Sequence, residues 1–355
     1  MLLIPLILIT AFLIVLPPSR GRMPRYKDDK GNVIEGSISE RVKLTTKDGG
    51  TLELRLLGQN KDTPVLMFCG GGPGIPQYLM EDMYPSKMTE MFTVCYWEYR
   101  GTGAVFDGDI KAGDMTTEQY MSDALEVTDY LRERFSQDKV YIMGHSFGTY
   151  IAAKMSQAHP ERYKAYIAMS QICDQKESEY MAYDRMIEEY EKKGDTKAAQ
   201  KLKDADIRAS EENFTKYCSS MTRDKSMHEL AVGTTRDMHS VITQLFFPSL
   251  RCKAYTQGER INIWRNKKRS SDYSVTADTH RFNAFEDVPE LEIPVYFIVG
   301  RYDLTCCADL QREYFEKIKA PKKEIYEFEK SAHSPLYEEP ERAKEVLTEI
   351  INETK

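Results

Sequence analysis

The stretch "VYIMGHSFGTYIAAKMSQAHP" (Val140–Pro160) decides the fold, because a β-rich apolar run passes directly into a helical pattern there. Ser146 stands at that junction, between Gly144 and Gly148. A nucleophile on a sharp strand-to-helix turn has a strained backbone, and small residues two positions away on each side avoid clashes. The helix that follows aims free N–H groups at developing negative charge. The pattern predicts Ser146 as a nucleophile, and the alternative is a Gly-rich turn in which Ser146 only caps the helix.

Short β-rich runs alternate with helical patterns along most of the chain. The predicted strands are "SERVKLTTKDG", "TLELRLLG", "TPVLMFCGGG", "MFTVCYWEYRG", "KVYIMG", "KAYIAM", "EIPVYFIVG" and "KEIYEFE". This alternation predicts an α/β fold with a mostly parallel central sheet flanked by helices.

The strand pattern is interrupted between about Cys173 and Phe285 by charged helical segments that contain many Tyr and Met residues. We interpret this block as an insertion into the α/β domain. The predicted boundaries are residues 37–172 for the first part of the core, 173–286 for a helical cap and 287–355 for the second part of the core.

A serine nucleophile needs a base and an acid that orients the base. The chain has six histidines, and His333 in "SAHSP" follows the last predicted strand, at the sheet edge where parallel strands present catalytic side chains. Asp303 in "VGRYD" follows a buried strand at the same edge, whereas the side chain of His145 is expected to point away. The order Ser146, Asp303, His333 is that of an α/β-hydrolase. The alternatives are a loop histidine bonded to backbone and an aspartate that caps a turn or helix.

The Gly-rich loop "CGGGPG" (Cys69–Gly74) follows the third predicted strand. Backbone N–H groups in such a loop can approach an oxyanion closely, and the N–H of Phe147 would be a second donor. A phosphate-binding loop is excluded because no Gly-Lys-Ser/Thr follows. A plain tight turn remains the alternative.

Five short motifs carry a resemblance to a known family: "GGGPG", "EYRGTG", "GHSFG", "VGRYD" and "SAHSP". Together they resemble the landmarks of the proline iminopeptidase-like family of α/β-hydrolases, from about Ser37 to Ile351. The resemblance implies a serine hydrolase with a helical cap over its site. It also implies Ser146, Asp303 and His333 as the catalytic triad, with Gly71 and Phe147 as the oxyanion donors.

Three differences from that family leave the substrate open. Gly70 replaces the His of the first motif, and Glu98 with Tyr99 replaces Asp-Gln of the second. Phe147 stands where the proline-releasing enzymes usually carry Trp.

Three functions therefore remain open. The first is an aminopeptidase of the proline iminopeptidase type that acts on short peptides, and the second is a carboxylesterase or lactonase that acts on small lipophilic esters. The third is a ligand sensor without activity. No metal or organic cofactor is needed for the first two. An aminopeptidase must hold a substrate ammonium with a carboxylate, and the cap offers several candidates: Glu177, Glu179, Asp184, Glu188 and Glu189.

Composition excludes other classes of protein. The chain has 355 residues and a net charge of −7 without a basic stripe interleaved with aromatic residues, so nucleic acid is not an expected partner. Seven cysteines without a C-x-x-C pair indicate free thiols rather than disulfides or a zinc site. The oligomeric state does not follow from the sequence.

The N-terminus, "MLLIPLILITAFLIVL" (Met1–Leu16), is almost entirely apolar. As a helix it would span roughly 24 Å, slightly less than a bilayer core, and nothing basic precedes it as in a signal peptide. The sequence predicts a transmembrane anchor over residues 1–18 and a linker over residues 19–36. The positive residues Arg20, Arg22, Arg25 and Lys27 follow, which predicts a membrane-anchored protein with a cytoplasmic catalytic domain.

Overall fold

The computed structural model describes residues 15–355, which form a central eight-stranded sheet with helices on both faces. The strand order is β1-β2-β4-β3-β5-β6-β7-β8. The strands are β1 (Ile38–Thr45), β2 (Thr51–Gly58), β3 (Val65–Cys69), β4 (Thr93–Glu98), β5 (Val140–His145), β6 (Tyr163–Met169), β7 (Val295–Gly300) and β8 (Lys323–Phe328).

The helices that cover the sheet come from both parts of the core. They are α1 (Tyr78–Met83), α2 (Met88–Met91), α3 (Thr117–Arg134) and α4 (Phe147–Ala158), followed after the cap by α13 (Ala308–Lys317), α14 (Pro335–Glu338) and α15 (Pro340–Glu353). The cap helices are α5 (Gln175–Lys192), α6 (Thr196–Lys203), α7 (Glu211–Cys218), α8 (Met221–Glu229), α9 (Phe247–Ser249), α10 (Gln257–Arg269), α11 (Ser274–Arg281) and α12 (Ala284–Asp287).

The sheet is parallel except at one edge. Strand β1 pairs antiparallel with β2, and β2 pairs antiparallel with β4, whereas every pair from β4 through β3 to β8 is parallel. Every residue of β3, β4, β5 and β7 is buried, as expected for strands covered on both faces. The prediction of an α/β fold with a mostly parallel sheet is confirmed.

All the described elements between β6 and β7 are helical, and these helices form a small apolar core of their own. Ala182, Met186 and Leu202 are fully buried within it. Several of these helices begin at a side-chain cap, and Thr256 with Glu259 forms a reciprocal capping box at the start of α10.

Most of the predicted anchor, Met1–Ile14, lies outside the described residues. Among residues 15–355, no helix combines the length and the apolar character required to cross a membrane. Leu16, which the sequence places in the anchor, is instead only 4% exposed. Its carbonyl accepts a hydrogen bond from Nε2 of Gln257 at 2.8 Å. The described end of the predicted anchor therefore packs against the cap.

The segment predicted as a linker, residues 19–36, also contacts the domain. Oγ of Ser19 donates to the carbonyl of Lys253 at 2.7 Å, and Arg41 donates to the carbonyl of Gly21 at 3.1 Å. The side chains of Met23 and Tyr26 pack against the core. This segment therefore touches both the sheet domain and the cap.

Candidate active site

Ser146 occupies the one-residue junction between β5, which ends at His145, and α4, which begins at Phe147. Its backbone angles are φ 52° and ψ −124°, a region that residues other than glycine rarely adopt. The Ser146 N–H donates to the carbonyl of Met169 on the neighbouring strand at 3.2 Å. This is the strained, half-exposed turn that the sequence predicts.

The two flanking glycines are required because neither position has room for a side chain. A Cβ atom on Gly144 would lie 2.5 Å from Cα of Thr149, and one on Gly148 would lie 1.9 Å from the carbonyl oxygen of Cys69. Both distances are far below van der Waals contact. The close packing of α4 on the ends of β3 and β5 therefore explains why Ser146 stands between glycines.

His333 and Asp303 are hydrogen-bonded to each other in the loops after β8 and β7. Nδ1 of His333 lies 3.0 Å from Oδ2 and 3.1 Å from Oδ1 of Asp303. Asp303 is fully buried and His333 is 6% exposed. A carboxylate can only accept, so Nδ1 carries a proton, and Nε2 is then the nitrogen whose lone pair a neutral ring offers as a general base.

The carboxylate of Asp303 is fixed by three donors besides His333. Oδ1 accepts from the backbone N–H of Thr305 at 2.9 Å and of Cys306 at 3.0 Å, and Oδ2 accepts from Nε2 of Gln311 at 3.2 Å. Burial alone would raise the pKa of Asp303, but His333 and these hydrogen bonds outweigh it and hold the pKa below its usual value. Asp303 is therefore held as a charged acceptor.

The turn after Asp303 also contacts the nucleophile. Burial raises the pKa of the Cys306 thiol far above its usual value, the charge of Asp303 raises it further, and contact with the Ser146 hydroxyl partly offsets both effects. Cys306 is therefore a protonated thiol between the serine and the aspartate. All seven cysteines are free thiols in the structure.

His145 supports the loop that carries His333. The two rings are 4.9 Å apart, and Nε2 of His145 donates to the backbone carbonyl of His333 at 2.8 Å. Oγ of Ser170 donates to the same carbonyl at 2.9 Å. Burial lowers the pKa of His145 to about 3, so this ring is neutral. The sequence expectation that His145 points away from the site is therefore wrong, because its ring fills the space between the serine turn and the His333 loop.

The two predicted oxyanion donors are placed differently. The Phe147 N–H is the first of helix α4 and has no acceptor within that helix. The Gly71 N–H donates to Oε1 of Gln77 at 3.0 Å, so it is engaged in this structure. Gly71 nevertheless lies beside the nucleophile, since a Cβ built on it would be 3.4 Å from Cβ of Ser146.

Gln77 fills the space left by the missing motif histidine. A Cβ on Gly70 would lie 2.9 Å from Cβ of Gln77, so no larger residue fits there. Nε2 of Gln77 donates to the hydroxyl of Tyr337 at 3.1 Å, and the Tyr99 hydroxyl donates to the Gly70 carbonyl at 2.6 Å. Two departures from the family pattern, Gly70 in the loop after β3 and Tyr99 after β4, are thus hydrogen-bonded to each other.

A third departure, Glu98, lies in a buried ion pair with Arg55. Oε1 of Glu98 accepts from Nε of Arg55 and from the hydroxyl of Tyr255. Oε2 accepts from the backbone N–H of Ala104 at 3.0 Å. Glu98 therefore joins the sheet to the start of the cap helix α10.

Glu338 organises the His333 loop through backbone hydrogen bonds. Its Oε1 accepts from the N–H groups of Ala332 at 2.9 Å and Ser334 at 3.2 Å, which flank His333. Its Oε2 accepts from the N–H of Arg236 in the cap at 2.7 Å. Burial raises the pKa of Glu338 to about 7.

One cap segment contacts both catalytic loops. The Val232 carbonyl accepts from the N–H of Leu304 at 3.3 Å, and the Gly233 carbonyl accepts from the N–H of His333 at 3.2 Å. The guanidinium of Arg236 lies 3.7 Å from the centre of the Tyr302 ring. The cap is thus hydrogen-bonded to the residue that follows Asp303 and to His333 itself.

Glu179 is the one buried carboxylate among the five cap candidates, with 4% exposure. Both of its oxygens accept hydrogen bonds from Arg223, with Nε to Oε2 at 2.6 Å. Nε2 of Gln175 also donates to Glu179 at 3.1 Å. The charge of Glu179 is therefore already neutralised within the cap.

Sequence reasoning missed the groups that hold the site in place. Gln77 and Gln311 hydrogen-bond to side chains that no sequence motif connects with them, and Glu338 accepts hydrogen bonds from backbone N–H groups. Only Glu338 gave a signal, because it follows His333 by five residues in a turn-rich stretch. Within residues 15–355, no group of three or more His, Cys, Asp or Glu side chains is arranged to hold a metal ion.

Comparison with known proteins agrees with this geometry. A profile described as the alpha/beta hydrolase fold matches residues 64–340. A probable aminopeptidase, YbaC of Bacillus subtilis, is 30% identical over 298 residues, which cover 82% of this chain and 90% of that protein. A proline iminopeptidase of Heyndrickxia coagulans is 23% identical over 306 residues, covering 86% and 96% of the two chains.

A solved structure shares the same fold. The crystal structure of proline iminopeptidase from Mycobacterium smegmatis superposes with a TM-score of 0.63 at 13% identity, covering 89% of this chain and 98% of that one. The resemblance seen in the short sequence motifs is thus confirmed over most of the chain. The chain belongs to the α/β-hydrolase family.

Proposed function

We propose that the protein is a serine hydrolase that forms an acyl-enzyme on Ser146. The observation that carries this proposal is the strained serine turn after β5, with the hydrogen-bonded His333 and Asp303 at the same edge of the sheet. The contact of Cys306 with both Ser146 and Asp303 supports the proximity of the three groups.

In the proposed acylation step, Nε2 of His333 accepts the proton of the Ser146 hydroxyl while the oxygen attacks a carbonyl carbon. The carbonyl π electrons move onto its oxygen, and the Phe147 N–H stabilises that negative charge. The Gly71 N–H joins it when Oε1 of Gln77 withdraws. The bond to the leaving group then breaks, and His333 gives its proton to that group.

In the proposed deacylation step, water enters and His333 removes one of its protons. The resulting hydroxide attacks the ester carbon, the acyl–oxygen bond breaks, and Ser146 recovers its proton from His333. Asp303 stays ionised throughout and holds Nδ1 protonated. Water is the only co-reactant of the proposed reaction.

For the substrate, we propose short peptides with a free N-terminus, and the acyl group would be the N-terminal residue. The names of the two relatives, an aminopeptidase and a proline iminopeptidase, support this class. A specific observation favours the second candidate, a carboxylesterase: Glu179 is already neutralised by Arg223, which leaves it less able to hold a substrate ammonium.

The two substrate classes can be separated with matched substrates. Purified protein is assayed with aminoacyl-naphthylamides that carry either a free or an acetylated amine, and with p-nitrophenyl butyrate. An aminopeptidase hydrolyses the naphthylamide that carries a free amine and does not hydrolyse the one whose amine is acetylated. Hydrolysis of the butyrate alone would replace the peptidase proposal by the esterase. Ser146→Ala, purified in the same way, should be inactive towards all three compounds.

A further inference from the structure

Large apolar side chains are exposed together on one face of the cap. Ile242 is 51% exposed, Phe247 is 44% exposed and Ile261 is 45% exposed. They surround two aromatic rings, since Phe246 lies 4.8 Å from Trp264 and 5.2 Å from Phe247 between ring centres. We call these five residues the apolar patch. Clustered exposure of this kind indicates an interaction surface.

The chain segment that carries the patch is basic, although the whole protein is acidic. Between Val241 and Ser271 the chain carries seven Lys and Arg residues and a single acid, Glu259, in a protein of net charge −7. Glu259 is paired with Arg41. Arg251, Lys253 and Lys268 are exposed, and no carboxylate of residues 15–355 pairs with them. Met1–Ile14 contains no acidic residue that could do so.

Helix α10 shows how the two properties share one face. Arg265 and Lys268 lie four and seven residues after Ile261, and Trp264 lies three residues after it, which places all four on one side of the helix. Arg265 is exposed and stacks over the Phe106 ring at 4.6 Å. The opposite side of the helix carries the buried Arg260 and Ile263. Helix α10 thus presents apolar and basic side chains next to each other, and apolar burial and attraction to anionic lipid both contribute to binding at a membrane surface.

The described N-terminus of the chain lies beside this face. The Leu16 carbonyl accepts a hydrogen bond from Gln257, the first residue of α10. The backbone of Arg20 forms an antiparallel β-bridge with that of Thr256. Ser19 is bonded to Lys253, one of the unpaired cations. Val15, the first described residue, is 37% exposed. The described chain therefore begins at the edge of the basic segment, and the sequence that precedes it, Met1–Ile14, contains one Pro, one Thr and otherwise only apolar residues.

We propose that the apolar patch and the cations around it form a docking surface for an anionic lipid bilayer. The apolar side chains enter the headgroup region, and Arg251, Lys253 and Lys268 contact lipid phosphates. The inference does not depend on the proposed hydrolase activity. It gives the catalytic domain a fixed orientation, with the cap towards the lipid.

The chain carries its own probe of this surface. It has two tryptophans: Trp264 lies within the apolar patch, and Trp97 is 2% exposed in the core. The full-length protein is mixed with vesicles of phosphatidylcholine and phosphatidylglycerol at about three to one, with bromine atoms on the acyl chains near the headgroup. We expect quenching of Trp264 fluorescence, and Trp264→Phe should remove most of the quenching. Pure phosphatidylcholine vesicles should quench it less than half as much.

Two surface variants separate this proposal from binding through the N-terminal segment alone. Phe247→Gln with Ile261→Gln should lose at least half of the Trp264 quenching, as should Arg251→Gln with Lys253→Gln and Lys268→Gln. Met221→Gln is the apolar control, because Met221 is 69% exposed on α8 outside the patch. Lys197→Gln with Lys201→Gln and Lys216→Gln is the charge control, since these lysines are also exposed. Circular dichroism checks that all variants are folded.

Equal quenching in wild type and in both surface variants would overturn the proposal. Vesicle binding without Trp264 quenching would also overturn it, because the protein would then bind lipid without contact between the apolar patch and the bilayer. Absence of quenching together with a patch-dependent dimer in sedimentation would assign the surface to a second copy of the chain instead.

Discussion

The carboxyl edge of the sheet and the cap above it hold their buried charges in different ways. At the sheet edge, Asp303 is held by backbone N–H groups, one glutamine and a histidine, all in or next to strand ends and the helix that follows. In the cap, Glu179 is held by Arg223 from a different helix. The first arrangement follows from the strand order of the sheet, and the second depends on how the cap helices pack.

This difference assigns separate tasks to the two regions. The positions of Ser146, Asp303 and His333 are set by the ends of a sheet that is covered on both faces and closely packed. The ion pairs within the cap, such as that of Glu179 with Arg223, lie outside the few hydrogen bonds that join the cap to the His333 and Asp303 loops, so we expect changes there to leave the sheet edge in place. Substitutions at the sheet edge should therefore change kinetic constants, whereas substitutions in the cap should change the free energy of unfolding.

The largest effect is expected at the sheet edge. Asp303→Asn should lower kcat by about 10⁴-fold with little change in KM, because an amide cannot fix the Nδ1-protonated form of His333. Steady-state kinetics on the preferred substrate measure this. Asp309→Asn is the control, since Asp309 lies nearby in an exposed ion pair with Arg312. A kcat within tenfold of wild type would contradict the assigned role of Asp303.

In the cap, the expected effect is on stability. Glu179→Gln leaves the charge of Arg223 buried without its partner and should lower the free energy of unfolding by about 3 kcal/mol, measured by urea denaturation. Asp184 lies on the same helix as Glu179. Asp184→Asn breaks its exposed ion pair with Arg208 and should lower the free energy of unfolding by less than about 1 kcal/mol. Equal effects of the two substitutions would show that the burial of Glu179 carries no weight.

Glu338 connects the two regions and should make stability depend on pH. Its pKa rises from 4.5 to about 7 in the folded protein, so between these values the folded state keeps a proton that the unfolded state releases. Stability therefore falls as pH rises through this window, by up to about 3 kcal/mol.

Glu338→Gln removes this titration. The unfolding free energy of the variant relative to wild type should increase between pH 5 and pH 8 by about that amount. Thermal or urea unfolding of both proteins at the two pH values measures the difference. Glu345→Gln, at an exposed position, should show no such trend. A constant difference between variant and wild type would contradict the raised pKa.

The smallest effect compares two neighbouring tyrosines, Tyr99 and Tyr120, whose tilted rings have centres 5.0 Å apart. Tyr99→Phe leaves the Gly70 carbonyl without its donor and should cost about 1–2 kcal/mol in unfolding free energy. The buried hydroxyl of Tyr120 has no partner among the described residues, so Tyr120→Phe should be neutral or stabilising. The reverse order of the two variants would contradict the hydrogen bond from Tyr99.

The sequence was sufficient for the sheet and for the position of the site's main residues. Strand β5 is a buried apolar run, and Gly144, Ser146 and Gly148 mark the turn at its end. Asp303 and His333 each follow a strand in the same way. These signals are local, because each depends on a few consecutive residues and on the rule that parallel strands end at one edge.

The supporting contacts could not be predicted for the opposite reason. Gln77 meets Tyr337 across 260 residues, and Leu16 meets Gln257 across 241. Such pairs depend on how loops and cap helices pack in three dimensions. The prediction for residues 1–18 treated a short apolar run as one unit, whereas packing on the cap begins by Leu16.

Covalent labelling tests the central claim most directly, namely that Ser146 is a nucleophile activated by His333 and Asp303. The full-length protein is treated with a fluorophosphonate, digested and analysed by mass spectrometry. We expect a single phosphonate adduct on the peptide that contains Ser146, slower labelling in Asp303→Asn and no adduct in Ser146→Ala. An unlabelled wild-type protein, or equal labelling of Ser146→Ala, would contradict the account.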